Sequence, residues 1–178
     1  NGQYIYTGFS GAGLVKRIEV SNLNVDLQIQ LGNSPNNGAH LVEDMEVMPN
    51  APETIVISRK VQNSSPRYEG TVVYDNDVMR PIITNEHTGS NRIEFKNSGQ
   101  LIGNNIETSG DDLYLLSILS NGIEETEEYD GLLGGNYRSD FILVGDYLCA
   151  STGEIFDISG NEPLLVGTIP DVSDPVTY

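Results

Sequence analysis

At 178 residues and 19.4 kDa, with 38% hydrophobic residues, the chain is long enough to bury one core of its own. Nine Lys+Arg against 26 Asp+Glu give a net charge of −17 and a pI near 4.1. That excludes nucleic acid and anionic membrane surfaces as partners, because both are polyanions and no basic patch offsets the field. No run approaches 18 apolar residues, so no membrane span is expected.

Helix formers never run for three turns without Gly, Pro, Asn or a β-branched residue. Short apolar or alternating runs recur instead, separated by clusters drawn from 19 Gly and 8 Pro with Asn, Asp and Ser. The fold class is all-β. In chain order, strands are predicted at 4–7, 14–20 and 25–31, then, after a Gly/Asn/Pro loop, at 42–48, 54–59, 70–74 and 78–83. The next group is 92–95, 100–103, 113–119 and 123–128, and the last is 141–144, 147–151, 154–158 and 164–169. Tight connections such as Asp75-Asn76-Asp77, Ser120-Asn121-Gly122 and Gly145-Asp146 join antiparallel neighbours.

The strands recur as a group. Second strands begin near Tyr4, Thr54, Gln100 and Tyr147, and fourth strands near Val25, Val78, Ile123 and Leu164. A period of roughly 40 to 50 residues with four antiparallel strands per unit is the pattern of a β-propeller blade, with a plain β-sandwich as the rival. The expected organisation is one propeller segment over 1–178, with blades at about 1–32 (partial), 38–84, 89–133 and 137–170 and a C-terminal tail at 171–178. The first unit would begin at its second strand. A Pro- and Asp-rich tail is a poor ladder strand, so the expectation is about four blades within a larger ring, completed by further blades or another chain.

Charge is split along the chain. Residues 1–96 carry a net −3, whereas 97–178 carry −14 with Arg138 as the single cation. Those carboxylates are expected to face water or bind cations. Cys149, the one cysteine, sits in an apolar run and reads as a small core residue; a catalytic thiolate would need a histidine from His40 or His87 and an electropositive setting. The glycine-rich segment 8–13 precedes a strand rather than a helix and reads as a hairpin loop, not a phosphate site. Asn63-Ser64-Ser65 matches a glycosylation sequon and nothing more.

The runs GAHLVEDMEV (38–47), TIVISR (54–59), Ser65-Pro66-Arg67, GTVVYDNDVMRP (70–81) and TGSNRIE (88–94) resemble repeats of large secreted bacterial proteins of uncharacterised role. The resemblance is strongest over 38–95. It implies a YVTN or quinoprotein-like propeller of six to eight blades in an extracellular or cell-surface bacterial protein, and it brings no active site with it.

Chemistry is therefore sought residue by residue. A central channel would be lined by each blade's first strand, which nominates Glu43, Asp44, Glu46, Arg92, Glu94 and Asp140. Among these, Glu43, Asp44, Arg92 and Glu94 are the weak catalytic candidates, since paired carboxylates serve glycoside hydrolysis or lyase chemistry. Asp75 and Asp77 in their turn, and Glu125 and Glu127 in the run 124–130, are the oxygen donors that could hold calcium. In a regular strand Glu125 and Glu127 would share a face. No elbow serine, zinc-binding helix or phosphate loop is present, and no cofactor other than calcium is expected. The leading expectation is a non-catalytic binding or assembly module with a protein or glycan partner. The alternative is an extracellular carbohydrate-active enzyme.

Overall fold

The computed structural model describes residues 2–9, 11–109, 111–133 and 139–170; Arg138 and the tail at 171–178 lie outside the described residues. The first sheet contains β1 (Tyr4–Gly8), β2 (Leu14–Glu19) and β3 (Val25–Gln30). A small ribbon of β4 (Asn33–Ser34) and β5 (Gly38–Ala39) follows in the predicted loop. The second sheet is β6 (Leu41–Val47), β7 (Thr54–Lys60), β8 (Tyr68–Asp75) and β9 (Val78–Met79). The third is β10 (Arg92–Asn97), β11 (Gln100–Asn104), β12 (Leu113–Leu119) and β13 (Gly122–Tyr129). The fourth is β14 (Phe141–Val144), β15 (Tyr147–Ala150), β16 (Glu154–Asp157) and β17 (Leu164–Thr168). Every sheet is antiparallel and keeps chain order, so each strand pairs with the next through a turn or loop, the longest being 105–112 between β11 and β12. Asn76, at φ 55, supplies the left-handed residue that closes the β8–β9 turn. Among the described residues no helix is long and apolar enough to cross a membrane.

Alternation decides which core each strand feeds. Along β7, Ile55 and Ile57 pack toward the first sheet with Val15, Ile29, Val72 and Tyr74. Val56, between them, packs the other way with Val73, Ile93, Leu101 and Leu116. A strand covered on both faces can be buried at every position, which is why Thr54 to Arg59 are buried without alternation, with Ile55, Val56 and Ile57 in an apolar run. A third core joins Ile102 and Leu113 to Phe141, Leu148 and Phe156 of the fourth sheet. Three interfaces thus stack four sheets face to face.

One strand departs from expectation. The segment predicted as 78–83 keeps only Val78 and Met79 in its own sheet. Arg80 folds back onto Asp75 (2.8 and 2.9 Å) and donates Nη1 to the Leu119 carbonyl (2.7 Å). The chain then crosses to the third sheet, where Ile82 N donates to Asn121 O and Ile123 N to Ile82 O (2.9 and 3.2 Å). The seam is close enough that a Cβ on Gly122 would overlap the Ile82 carbonyl. Gly122→Ala should therefore lower the unfolding free energy by about 2 kcal/mol or more. Gly160→Ala, whose Cβ would make only an ordinary van der Waals contact with the Glu162 carbonyl oxygen at 3.8 Å, should leave the melting temperature unmoved; calorimetry of the two variants checks this.

Candidate functional site

The inner strands β6, β10 and β14 lie side by side, and their polar side chains reach from one to the next. A bulge between Val42 and Asp44 turns Asp44 toward β10. Asp44 accepts from its neighbour's Met45 N (Oδ1, 2.9 Å) and from Ile93 N (Oδ2, 2.9 Å) across the sheet gap. Glu94 repeats the device, accepting from Leu143 N through Oε2 at 3.2 Å. Both links span 49 residues, the repeat length itself, and that spacing is the signal by which the sequence could have revealed them. Asp140 caps its own strand, accepting from Phe141 N at 2.9 Å. Two of the four catalytic candidates are thus braces between neighbouring inner strands.

The other two are placed differently. Glu43 is ion-paired with Lys60 at 2.8 Å, and Arg92 donates Nη1 to the Glu43 carbonyl at 3.4 Å. The four candidates do not converge in one pocket. Asp44, Arg92 and Glu94 line a cleft of about 260 Å³ with Glu46 and Asp140. Glu43 and Arg92 line a larger concavity of about 590 Å³ with Lys60, Arg67, Glu107 and the loop from Ser64 to Pro66. Arg92 alone belongs to both. Arg67 and Glu107, which sequence reading missed, form an ion pair across 40 residues; the Glu107 carboxylate also accepts from Arg67 N. Nothing local in either segment announces the partner.

The cleft is an acidic environment with few cations. Burial, then repulsion from Asp44 and Glu94, pushes Glu46 up to about 7. Burial also raises Asp44 and Glu94 above the usual carboxylate range, offset by the N–H bonds each accepts.

The four calcium candidates fall into two unconnected places. Asp75 is held by Arg80 and by Thr54 Oγ1 (2.8 Å), and the Arg80 bond keeps its carboxyl below the usual range. Asn76, in the same turn, accepts from Arg17 at 2.7 Å, while Asp77 is exposed. The turn's oxygens serve the protein's own cations. In β13 a bulge sets Glu125 opposite Leu116 but Glu127 opposite Leu115, so the two glutamates lie on opposite faces. This corrects the shared face expected from a regular strand. Glu125 turns inward toward Tyr68 and Gly89, and burial, reinforced by Glu128, pushes it up to about 7. Among the described residues, the one acidic trio close enough to share an ion is Asp112, Glu128 and Asp130. Tyr114 Oη already bridges two of them, at 3.4 Å to Asp112 and 3.3 Å to Glu128.

No protein family and no curated protein sequence matches the chain. Among solved structures it is similar to the WD40 β-propeller domain of Doa1, with 13% identity and a TM-score of 0.61, covering 97% of this chain and 52% of that one. It is also similar to the β-propeller domain of Cps50 (Swd1) from Myceliophteria thermophila, with 11% identity and a TM-score of 0.69, covering 99% of this chain and 58% of that one. The stacked sheets are β-propeller blades, and the chain spans little more than half the length of these propellers.

Two outcomes follow from the braces and the raised carboxyls. Asp44→Ala and Glu94→Ala should each cost about 1–3 kcal/mol, the typical penalty for stranding a buried donor, read as a lower denaturant midpoint. Glu46 and Glu125 sit near 7 when folded against 4.5 when free, so the folded chain holds protons that the unfolded chain has released. Stability contributed by these groups is fully present below about pH 4.5 and is lost as pH rises through about 7. The melting temperature should fall over that window, and the Glu46→Gln/Glu125→Gln double variant should flatten the slope.

Proposed function

We propose that this propeller segment is a non-catalytic binding or assembly module of an extracellular or cell-surface bacterial protein, of the YVTN or quinoprotein-like kind. The observation that carries the reading is how the channel-side carboxylates are used: Asp44 and Glu94 fix the backbone of the next inner strand, and Glu43 neutralises Lys60. Groups committed to holding the scaffold are poorly placed to move protons on a substrate. The bacterial surface setting is supported by the sequence resemblance over 38–95 and by an acidic composition suited to a solvated exterior.

The binding face in this reading is the larger concavity. Its Lys60, Arg67 and Arg92 are three of the nine cations of a chain carrying −17, and Arg92 has most of its donors free of carboxylate partners among the described ion pairs. A protein or glycan partner offering carboxylates or hydroxyls suits it. Calcium is proposed only at Asp112, Glu128 and Asp130, the trio whose oxygens lie together.

One observation favours the enzyme reading. Burial and the repulsion of Asp44 and Glu94 push Glu46 up to about 7 in a cleft it shares with further carboxylates and Arg92, an environment that suits a general acid. The two readings part in one experiment. The protein is incubated with a panel of plant and bacterial polysaccharides, and reducing ends and unsaturated uronates are measured. We expect no turnover, together with glycan-array or peptide-array binding that Arg92→Gln abolishes without moving the melting temperature. Turnover that disappears in Glu46→Gln would reverse the assignment.

A further inference from the structure

Two concavities of opposite sign meet at one side chain. The larger is lined by the second and third blades, and the narrower cleft runs across the inner strands β6, β10 and β14. Arg92 lines both. Every lining residue belongs to the second, third or fourth blade, and each concavity spans boundaries that the chain itself completes.

In the larger concavity both ion pairs are turned the same way. The Glu43 and Glu107 side chains are 6% and 9% exposed, whereas their partners Lys60 and Arg67 are 25% and 42% exposed. The carboxylates sit in the wall and the cations reach the water. Arg92 adds a third cation, with Nη1 on the Glu43 carbonyl at 3.4 Å and no carboxylate partner among the described ion pairs. The charge this concavity offers to a ligand is therefore positive, in a chain that carries −17 overall. The cleft offers the opposite charge. Asp44, Glu46, Glu94 and Asp140 line it, with Arg92 as the one cation among its lining residues.

We propose that the two concavities together hold an extended peptide carrying one acidic and one basic side chain two residues apart, the acidic one on Arg92 and the basic one beside Glu46. The spacing comes from β10. Arg92 and Glu94 are two strand residues apart, about 7 Å, and side chains on one face of an extended peptide repeat at the same distance. A peptide carboxylate suits the planar fork of Arg92, which takes two parallel hydrogen bonds. Charge also chooses among partners. A polyanion, an acidic glycan included, meets the cleft carboxylates, and a polycation meets Lys60 and Arg67. A chain with both signs at strand spacing satisfies both sides, and the mismatched partners are rejected by repulsion.

This deepens the binding half of the proposed function and rests on it. Acetylated and amidated peptides Gly-Ser-Glu-Ala-Lys-Ser-Gly and Gly-Ser-Lys-Ala-Glu-Ser-Gly, with Gln replacing Glu, Lys or both in the comparison set, are titrated against the purified chain by NMR. The titration is run at pH 8, above the value near 7 at which Glu46 ionises. In at least one order of charges, the peptide with both should bind several-fold more tightly than either single-charge peptide, and added salt should weaken it. Arg92→Gln should erase the preference for Glu over Gln and keep the preference for Lys. Glu46→Gln should reduce the preference for Lys and keep that for Glu. A misfolded variant loses both preferences together, so the crossed pattern reads the site and not the fold. Equal affinity across the set, no binding of any peptide, or preferences indifferent to both variants would each overturn the proposal. An acidic peptide or polygalacturonate held through Arg92 as tightly as the two-charge peptides also overturns it, while leaving the binding reading standing. Polysaccharide turnover that Glu46→Gln abolishes, with the crossed preferences intact, sinks the non-catalytic reading and keeps the peptide site.

Discussion

A β-sheet that is apolar on both faces must be covered on both faces, and this requirement organises the molecule. The second sheet shows it most clearly: Ile55 and Ile57 leave one side of β7, Val56 leaves the other, and every one of them is fully buried. At about 25 cal/mol per Å² of apolar area removed from water, burial between sheets is the dominant favourable term. The turns, braces and seams are arrangements that let the sheets meet at the right spacing. The path of the chain after Met79 illustrates this. An outer strand that continued in its own sheet would leave the gap to the third sheet open, whereas the crossing at Ile82 and Gly122 closes it with two backbone hydrogen bonds.

Polar groups then finish what burial begins. Apolar contact is non-directional and does not fix how far one inner strand slides along the next. Asp44 on Ile93 N and Glu94 on Leu143 N do fix it, at successive blade boundaries. Burial, reinforced by the neighbouring carboxylates, raises the affinity of Asp44, Glu46 and Glu94 for protons. The cleft therefore stores a pH dependence that is a by-product of bracing as much as a resource for chemistry. A polar contact also forms within the second sheet, where buried Arg59 of β7 donates to the Glu69 carbonyl of β8 at 2.7 and 3.1 Å beside His40.

The charge asymmetry takes on a spatial meaning. With Arg138 as the one cation of residues 97–178, most carboxylates of the C-terminal half are expected to face water or bind cations. Glu107 nonetheless finds Arg67, from the blade before it. Lys60, Arg67 and Arg92, three of the cations of the N-terminal half, line the concavity with Glu43 and Glu107, so a molecule repulsive to polyanions overall keeps one locally mixed surface.

Residue order alone determined the fold class, the positions of nearly all strands and the four-strand grouping, because alternation, turn chemistry and repeat spacing are local properties. It also marked the inner-strand carboxylates as unusual. The fate of individual side chains was decided only by the tertiary structure. A bulge of one residue put Glu125 and Glu127 on opposite faces. Arg80 and Arg17 claimed the oxygens of the Asp75-Asn76 turn from other strands. Asp44 and Glu94 acquired backbone partners 49 residues away. Register shifts and long-range partners depend on how whole sheets meet, and no window of neighbouring residues contains that information.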